Sequence, residues 1–406
     1  MQPVRVSAFT ATTAAGVGDA ALLDSLRCGH SGLSPNDFTT TELATWIGRV
    51  AGLESVTLPP EHARWDCRNN RLAWLALQQD GFLDAARAAV LRFGAARVAV
   101  LIGTSTSSIA ASEEAYANLT AEGRFPPHLR RPEVHNLHST TSFVRRVFGA
   151  AGPCATISTA CSSSAKVFAQ AARMLHLGLI DAAVVGGVDS LAMSTLFGFH
   201  ALGLVSQRPC RPFDVMRDGI SIGEGAGFAL LERDDKESES DWPLLIGYGE
   251  SSDAHHMSAP HPEGAGARLA IDAALARGGI AASAVDYINL HGTATQKNDA
   301  VEARVVTETF PATTRASSTK GWTGHTLGAA GIVEAVIVLL ALREGFVPGT
   351  VHTERLDPAC GPQWKLANHD APLAIAISNS FAFGGSNAVL AFARDAAVLN
   401  RRSPGS

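Results

Sequence analysis

The chain has 406 residues, 46% of them hydrophobic and 17% charged, and its formal charge at pH 7 is −5. This length and composition supply a large buried core. General nucleic-acid binding is excluded, since no long Lys/Arg run is present to neutralise phosphates. The sequence also lacks a basic leader followed by an apolar segment and any apolar run of about 18 residues, so it predicts a soluble cytoplasmic protein with no membrane partner.

Six cysteines are spread widely along the chain: Cys28, Cys67, Cys154, Cys161, Cys210 and Cys360. None belongs to a CxxC pair or to a His/Cys cluster with metal-ligand spacing, so we expect reduced thiols and no metal site. His255, His256 and His261 are close in sequence, but no second group of ligands accompanies them. An ordinary loop is therefore favoured there over a metal site.

Short apolar runs alternate with longer helical ones, which is typical of an α/β protein. Four runs are predicted to be strands buried on both faces: residues 97–103, 182–187, 287–290 and 374–378. A charged, polar segment at residues 234–241 interrupts the chain near its middle. It predicts an N-terminal half, residues 1–240, and a C-terminal half, residues 241–406, although no repeat between them is visible.

Cys161 lies where a β-branched, strand-like run gives way to small polar residues and then to a helical stretch at residues 165–177. Unpaired N–H groups and the positive end of the helix dipole favour thiolate over thiol at such a junction. We therefore expect a nucleophile that needs no base. The alternative is a small buried hydrophobe, which is the usual state of a free cysteine.

Two histidines lie in turns that lead into helices. His291 follows the strand-like residues 287–290, and His325 lies in a glycine-rich entrance to the next helical segment. Connections at strand ends are where α/β proteins place ligands, so both imidazoles are candidates for the site of Cys161. Either histidine, taken alone, could be structural.

Residues 328–342 are apolar around the whole circumference of a helix except at Glu334, which predicts a helix buried inside the molecule. A carboxylate there needs a partner, because an unpaired buried charge costs several kcal/mol. Lys320 is the nearest candidate in the sequence. The alternative is that Glu334 points to solvent.

Near the C-terminus, residues 381–387 place two aromatic residues against two glycines after an apolar strand. Glycines allow a backbone to approach a ligand closely and to turn an N–H group toward an oxyanion. The alternative is a tight hairpin held by a phenylalanine.

These segments together resemble the β-ketoacyl-acyl-carrier-protein synthases, the condensing enzymes of fatty-acid and polyketide synthesis. The matching motifs occur in family order at residues 159–164, 211–214, 217–219, 223–227, 291–293, 324–325 and 381–387. The resemblance implies a thiolase-like fold, in which two similar βαβαβαββ halves pack as a five-layer αβαβα sandwich. The first half would carry Cys161 and the second half both histidines.

The resemblance also implies an order of steps. Cys161 would take an acyl chain from the phosphopantetheine arm of an acyl carrier protein as a thioester. His291 and His325 would hold a malonyl thioester and assist the loss of its carboxylate, so that the chain grows by two carbons. The backbone N–H groups of Cys161 and Phe383 would form the oxyanion hole. No cofactor bound by the enzyme itself is implied.

Four further residues receive supporting roles from the resemblance. Phe383 would also gate the cysteine, and Phe199 would line the acyl pocket. Lys320 and Glu334 would pair and organise the site, in agreement with the charge argument above.

The implied partners are an acyl carrier protein and a second chain. We expect a homodimer, and a heterodimer with a chain-length factor is the alternative. A non-catalytic subunit is disfavoured because the nucleophile and both histidines are present. Arg64, Arg68 and Arg71 form a basic cluster that could meet an acidic carrier. An ordinary solvated or dimer-facing helix explains these arginines equally well.

Some residues depart from the family pattern. Three serines after Cys161 are more typical of polyketide ketosynthases, Gln296 and Lys297 stand where a Pro or Leu and a small residue are commoner, and Ala382 replaces a frequent glycine. Primary fatty-acid elongation and a dedicated polyene or polyketide pathway therefore stay open. Thiolases and initiating condensing enzymes are disfavoured, because Cys360 is not in the thiolase glycine motif and His325 stands where the initiating enzymes use asparagine.

Overall fold

The computed structural model describes residues 1–233 and 242–402. The strands are β1 Val4–Thr13, β2 Gly16–Val17, β3 Leu33–Pro35, β4 Trp46–Gly48, β5 Val98–Gly103, β6 Cys154–Ile157, β7 Ala182–Asp189, β8 Ile222–Gly223, β9 Gly225–Arg233, β10 Leu244–Ser252, β11 Tyr287–Asn289, β12 Arg315–Ser317, β13 Phe346–Val347, β14 His369–Asp370, β15 Ile375–Ala382 and β16 Ser386–Ala393. The helices are α1 Asp19–Cys28, α2 Arg68–Leu77, α3 Phe82–Phe93, α4 Ile109–Ala117, α5 Ser139–Phe148, α6 Ser163–His176, α7 Met193–Ala201, α8 Ala265–Gly278, α9 Gln296–Thr309, α10 Lys320–Thr323, α11 Ala330–Glu344 and α12 Ala396–Arg402.

Two five-stranded sheets repeat one topology. The N-terminal sheet has the order β6-β5-β7-β9-β1, and the C-terminal sheet has the order β12-β11-β15-β16-β10. In both, the first three strands are parallel and the last two pair antiparallel. The two sheets join where β1 meets β10 over two residue pairs. The duplication, which no sequence repeat reveals, is therefore confirmed by the strand pairing.

The helices complete five layers. Helices α6 and α11 pack against each other between the two sheets and form the central layer. Helices α2, α3 and α5 cover the outer face of the N-terminal sheet, and α8 and α9 cover that of the C-terminal sheet. The predicted thiolase-like αβαβα sandwich is confirmed.

Helix α11 shows why the central layer needs an apolar sequence. Every residue from Ala330 to Leu342 is buried, since sheets lie on both sides and α6 lies alongside. Gly331 allows this approach, because a Cβ there would lie 2.5 Å from the backbone nitrogen of Ala165 in α6. The buried helix predicted at residues 328–342 is confirmed, with Leu327–Ala329 forming a short 3-10 turn before it.

The four predicted strands correspond to β5, β7, β11 and β15, and the helix predicted after Cys161 corresponds to α6. The boundary predicted between residues 240 and 241 lies outside the described residues. Among the helices within residues 1–233 and 242–402, none is long and apolar enough to cross a membrane.

Candidate active site

Cys161 lies in the turn between β6 and α6, and its side chain is 6% exposed. Ser162 is the N-cap of α6, so Cys161 lies one residue outside the helix. Ala160, just before it, has a φ of 52°, in the left-handed region that alanine rarely adopts. A strained turn between strand and helix aims this thiol toward the second half of the molecule.

His325 lies beside this thiol, with its Nε2 3.0 Å from the Cys161 Sγ. The backbone N–H of Leu327 donates to the other ring nitrogen, Nδ1, at 3.3 Å. An Nδ1 that accepts a hydrogen bond carries no proton, so in the neutral ring the proton lies on Nε2. His325 is therefore a hydrogen-bond donor toward the sulfur and not a base for it.

His291 has the same tautomer for a different reason. The Lys320 ammonium, which can only donate, lies 3.3 Å from the His291 Nδ1 and donates to the His291 backbone oxygen at 2.5 Å. The two imidazole rings meet edge to face with their centroids 5.5 Å apart. Both rings thus direct an Nε2–H group to the same small space near Cys161.

Both imidazoles are neutral at physiological pH. Burial, and then the charge of Lys320, hold the pKa of His291 and the pKa of His325 well below the usual 6.5. The same Lys320 forms a buried ion pair with Glu334 of α11. Solvent exposure of Glu334 is excluded, since only 3% of it is accessible.

The Cys161 thiol differs from the sequence-based expectation. Burial raises its pKa to about 12, while the charge of Lys320 and a backbone hydrogen bond from Phe383 lower it. The expected thiolate is therefore wrong for the protein alone, because desolvation outweighs the helix end. The sulfur does lie among donors that stabilise negative charge once it forms: the His325 Nε2–H and the Phe383 N–H.

Residues 383–385 form the tip of the hairpin that joins β15 and β16. A tight hairpin and a loop that contributes to the site are therefore not exclusive alternatives for this segment. Gly384 and Gly385 have φ values of 79° and 71°, which glycine adopts without strain. Gly385 also leaves no room for a Cβ, which would lie 2.8 Å from the Asp253 Cβ. The Phe383 ring packs against Phe199 with centroids 5.7 Å apart.

A cavity of about 310 Å³ leads to these residues. Its lining includes Cys161, His291 and His325 together with Phe199 and Phe383. The five predicted residues therefore share one cavity, and Lys320 and Glu334 lie behind it. The Cys161 sulfur and one nitrogen of each histidine lie within 4.8 Å of one another, and sulfur and imidazole nitrogen are atom types that can also ligate a metal ion.

Sequence reasoning missed the carboxylates that hold the turns. Glu302 accepts hydrogen bonds from the backbone of His291 and Gly292, both at 2.8 Å, and Asp299 accepts from the backbone of Thr293 at 2.9 Å. Asp189 does the same for the His325 side of the site, accepting from Gly328 at 2.7 Å. Asp299 and Glu302 are three residues apart on α9, a spacing that places both on one helix face and could have identified them.

The basic cluster does not present three free charges. Arg68 forms two hydrogen bonds to Glu224, at 2.9 and 2.6 Å, and Glu224 is fully buried. Arg71 pairs with Asp66. Arg64 is the most exposed of the three, 3.8 Å from Glu133. Carrier docking by this cluster stays a prediction, and it now rests mainly on Arg64, because Arg68 neutralises a buried carboxylate.

Arg68→Glu should therefore destabilise the fold by about 3–5 kcal/mol, because it leaves Glu224 buried without its cation. Arg64→Glu is the matched control and should change stability by no more than about 2 kcal/mol, since it removes a solvent-exposed pair with Glu133 and a cation–π contact with Trp65. Urea unfolding of the two variants measures both values. Equal stabilities would contradict the structural role given to Arg68.

Comparison with known sequences gives a consistent result. The sequence model of the β-ketoacyl synthase N-terminal domain matches residues 1–237, and that of the C-terminal domain matches residues 244–354. The chain is 37% identical over 321 residues to the mitochondrial 3-oxoacyl-[acyl-carrier-protein] synthase of Arabidopsis thaliana, covering 73% of this chain and 68% of that one. It is 32% identical to 3-oxoacyl-[acyl-carrier-protein] synthase 2 of Coxiella burnetii over 91% of this chain and 93% of that one.

Solved structures agree. A ketosynthase from Xenorhabdus doucetiae, in complex with its chain length factor, superposes with a TM-score of 0.87 at 35% identity, covering 97% of this chain and 98% of that one. The ishigamide ketosynthase/chain length factor superposes with a TM-score of 0.87 at 26% identity, covering 97% and 99%.

Proposed function

The chain belongs to the β-ketoacyl synthase family and is a condensing enzyme of the acyltransferase class, and on that premise we propose that Cys161, His291 and His325 divide the reaction between them. Cys161 carries the acyl group, and the histidines act on the malonyl group. The observation that carries this proposal is the shared orientation of the two Nε2–H groups, fixed by the donors at each Nδ1.

Acyl transfer comes first. The Cys161 sulfur attacks the carbonyl carbon of an acyl thioester on the carrier, and the bond to the phosphopantetheine sulfur breaks. The departing thiolate takes the proton that Cys161 gives up. The backbone N–H groups of Cys161 and Phe383 are proposed to hold the carbonyl oxygen, which becomes negative during this step. Phe199 packs on the Phe383 ring and lines the space for the acyl chain.

Decarboxylation follows on a malonyl thioester. The bond between the malonyl α-carbon and the carboxylate breaks, and CO₂ leaves. The electron pair of that bond stays on the thioester and forms an enolate. The two Nε2–H groups donate to the enolate oxygen, which lowers the energy of that charge. The carbanion then attacks the acyl-Cys161 carbonyl and expels the sulfur as a thiolate, giving a β-ketoacyl chain that is two carbons longer. The thiolate takes up one proton from solvent, which restores the Cys161 thiol. The enolate needs donors, and neutral imidazoles provide them.

Lys320 and Glu334 support this arrangement without contacting the substrate. Lys320 fixes the His291 tautomer through Nδ1 and disfavours protonation of both rings. Glu334 offsets the cost of burying that ammonium. They are positioning residues, because they act through the histidines.

The N-terminal sheet supports a dimer. Its end strand β6 is exposed at Cys154 and Ala155, and its described pairing is on the β5 side alone. An open strand edge is a surface that another chain can cover. We propose that a second copy of this chain covers it, and a chain-length factor is the alternative, since the Xenorhabdus ketosynthase was solved with one.

Reconstitution tests the proposed function. The purified chain, given an acyl carrier protein loaded with acyl and malonyl groups, should release CO₂ and one β-ketoacyl carrier per turnover. Native mass spectrometry of the same sample should show a dimer of this chain. Activity that requires co-expression with a second, similar chain would replace the homodimer by the heterodimer. No product under either condition would contradict the function.

A further inference from the structure

One departure from the family pattern lies at the mouth of the cavity. Gln296 and Lys297 are the first two residues of α9, and both line the cavity that also reaches Cys161. Gln296 is occupied by a hydrogen bond to the Arg217 backbone oxygen at 2.5 Å. Lys297 is exposed, so its charge lies at the solvent end of the cavity and away from the buried histidines.

The ammonium of Lys297 is available to a ligand. Within residues 1–233 and 242–402 it has no hydrogen-bond or ion-pair partner. Two carboxylates also line the cavity, but both are engaged: Asp218 accepts from Ser206 at 2.7 Å, and Asp253 accepts from Asn387 at 2.9 Å. Lys297 is the only lysine or arginine among the described lining residues.

The substrate brings a matching charge to this place. A carrier-bound thioester reaches the sulfur through a phosphopantetheine arm, whose phosphodiester lies at the end away from the thioester. When the thioester is at Cys161, the arm occupies the cavity and the phosphodiester lies toward its mouth. We propose that Lys297 binds the phosphodiester of the phosphopantetheine arm, and this inference rests on the proposed function.

The size of the expected change in KM follows from the solvent exposure of Lys297. Solvent-exposed ion pairs are weak, so the loss of this contact should raise KM only about threefold and leave kcat unchanged. Salt should weaken the contact, because the Debye length falls from about 8 Å at 0.15 M to about 3 Å at 1 M. The difference between the native protein and a variant should therefore shrink at 1 M salt.

Lys297→Met tests the proposal with three malonyl thioesters: the loaded carrier, free phosphopantetheine and free pantetheine, which lacks the phosphate. We expect a rise in KM for the first two and none for pantetheine. Lys297→Arg should restore most of the loss, since it keeps the positive charge. Lys365→Met is the matched control, because Lys365 lies outside the cavity lining and donates to the Pro362 backbone oxygen.

Each other outcome overturns the proposal. A rise in KM with the loaded carrier alone would mean that Lys297 contacts the surface of the carrier protein and not the phosphate. A rise with all three substrates would mean a structural effect on the cavity, and no change at all would remove Lys297 from binding. These results would leave the proposed function intact, because that function fails only when the native protein does not condense any of the three substrates.

Discussion

Cys161→Ser is expected to lower condensation on the order of 10⁴-fold or more, because it removes the atom that carries the acyl chain. A serine hydroxyl in the same buried turn has no comparable tendency to ionise, and the donors around the sulfur cannot compensate. Mass spectrometry of the intact protein after incubation with an acyl carrier should show the acyl mass on the native chain and none on the variant.

The control for this experiment is Cys28→Ser. Cys28 is an exposed free thiol outside the cavity lining, so its loss should leave both the adduct and the rate unchanged. An acyl adduct that persists in Cys161→Ser would mean that another residue is the nucleophile. The length and unsaturation of the trapped chain would also distinguish fatty-acid elongation from a polyene or polyketide pathway.

His291→Ala and His325→Ala should each slow malonyl decarboxylation about 10²–10³-fold, because each variant loses one donor to the enolate oxygen. Acylation of Cys161 should continue in both, since neither ring removes the thiol proton in the proposed mechanism, but it should be slower in His325→Ala because that ring donates to the sulfur. CO₂ release from malonyl carrier and the acyl mass on Cys161 measure the two steps separately. His30→Ala, an exposed histidine outside the cavity lining, is the matched control.

The pH dependence gives a second measure of the same roles. Because burial and Lys320 hold both histidine pKa values well below 6.5, neither imidazole should take up a proton near pH 6.5, and NMR of the histidine rings measures this. Burial raises the pKa of Glu302 and the pKa of Glu334 to about 7, so a change of rate near pH 7 is expected from these carboxyl groups. Protonation of either histidine ring around pH 6.5 would contradict the neutral donors. Loss of acylation in either alanine variant would contradict the division of labour.

The sequence predicted the parts of the site that depend on local pattern. Strand β7 is buried on both faces and its sequence has no polar residue before Asp189. Helix α11 is apolar on nearly every side because two sheets and α6 surround it. Glu334 stood out for the same reason: one carboxylate in an apolar helix requires a cation, and Lys320 is that cation. Local pattern and burial agree at these positions.

Contacts between residues that are far apart in the sequence could not be predicted from local pattern. The raised pKa of Cys161 arises from enclosure by both halves, and the sequence around the residue shows only its helix end. Arg68 looked like a surface charge because Glu224, its buried partner, is 156 residues away. The tautomers of His291 and His325 depend on Lys320 and on the Leu327 N–H, whose directions are fixed only in the folded turns.

Strain at the site was also invisible in the sequence. Ala160, Ala294 and Leu327 have φ values of 52°, 64° and 54°, although none is a glycine. Each lies one to three residues from Cys161, His291 or His325. Such conformations cost about 1–3 kcal/mol each and persist where the surrounding structure holds them. Here Asp299 holds the Ala294 turn through backbone hydrogen bonds.

The division of labour between Cys161 and the two histidines is tested most directly by CO₂ release from malonyl carrier in Cys161→Ala. This variant cannot be acylated, but both Nε2–H groups remain, so decarboxylation should persist, and it should fall about 10²–10³-fold when His291→Ala is added. Loss of CO₂ release in Cys161→Ala alone, or its persistence in the double variant, would contradict the assignment of the malonyl step to the histidines.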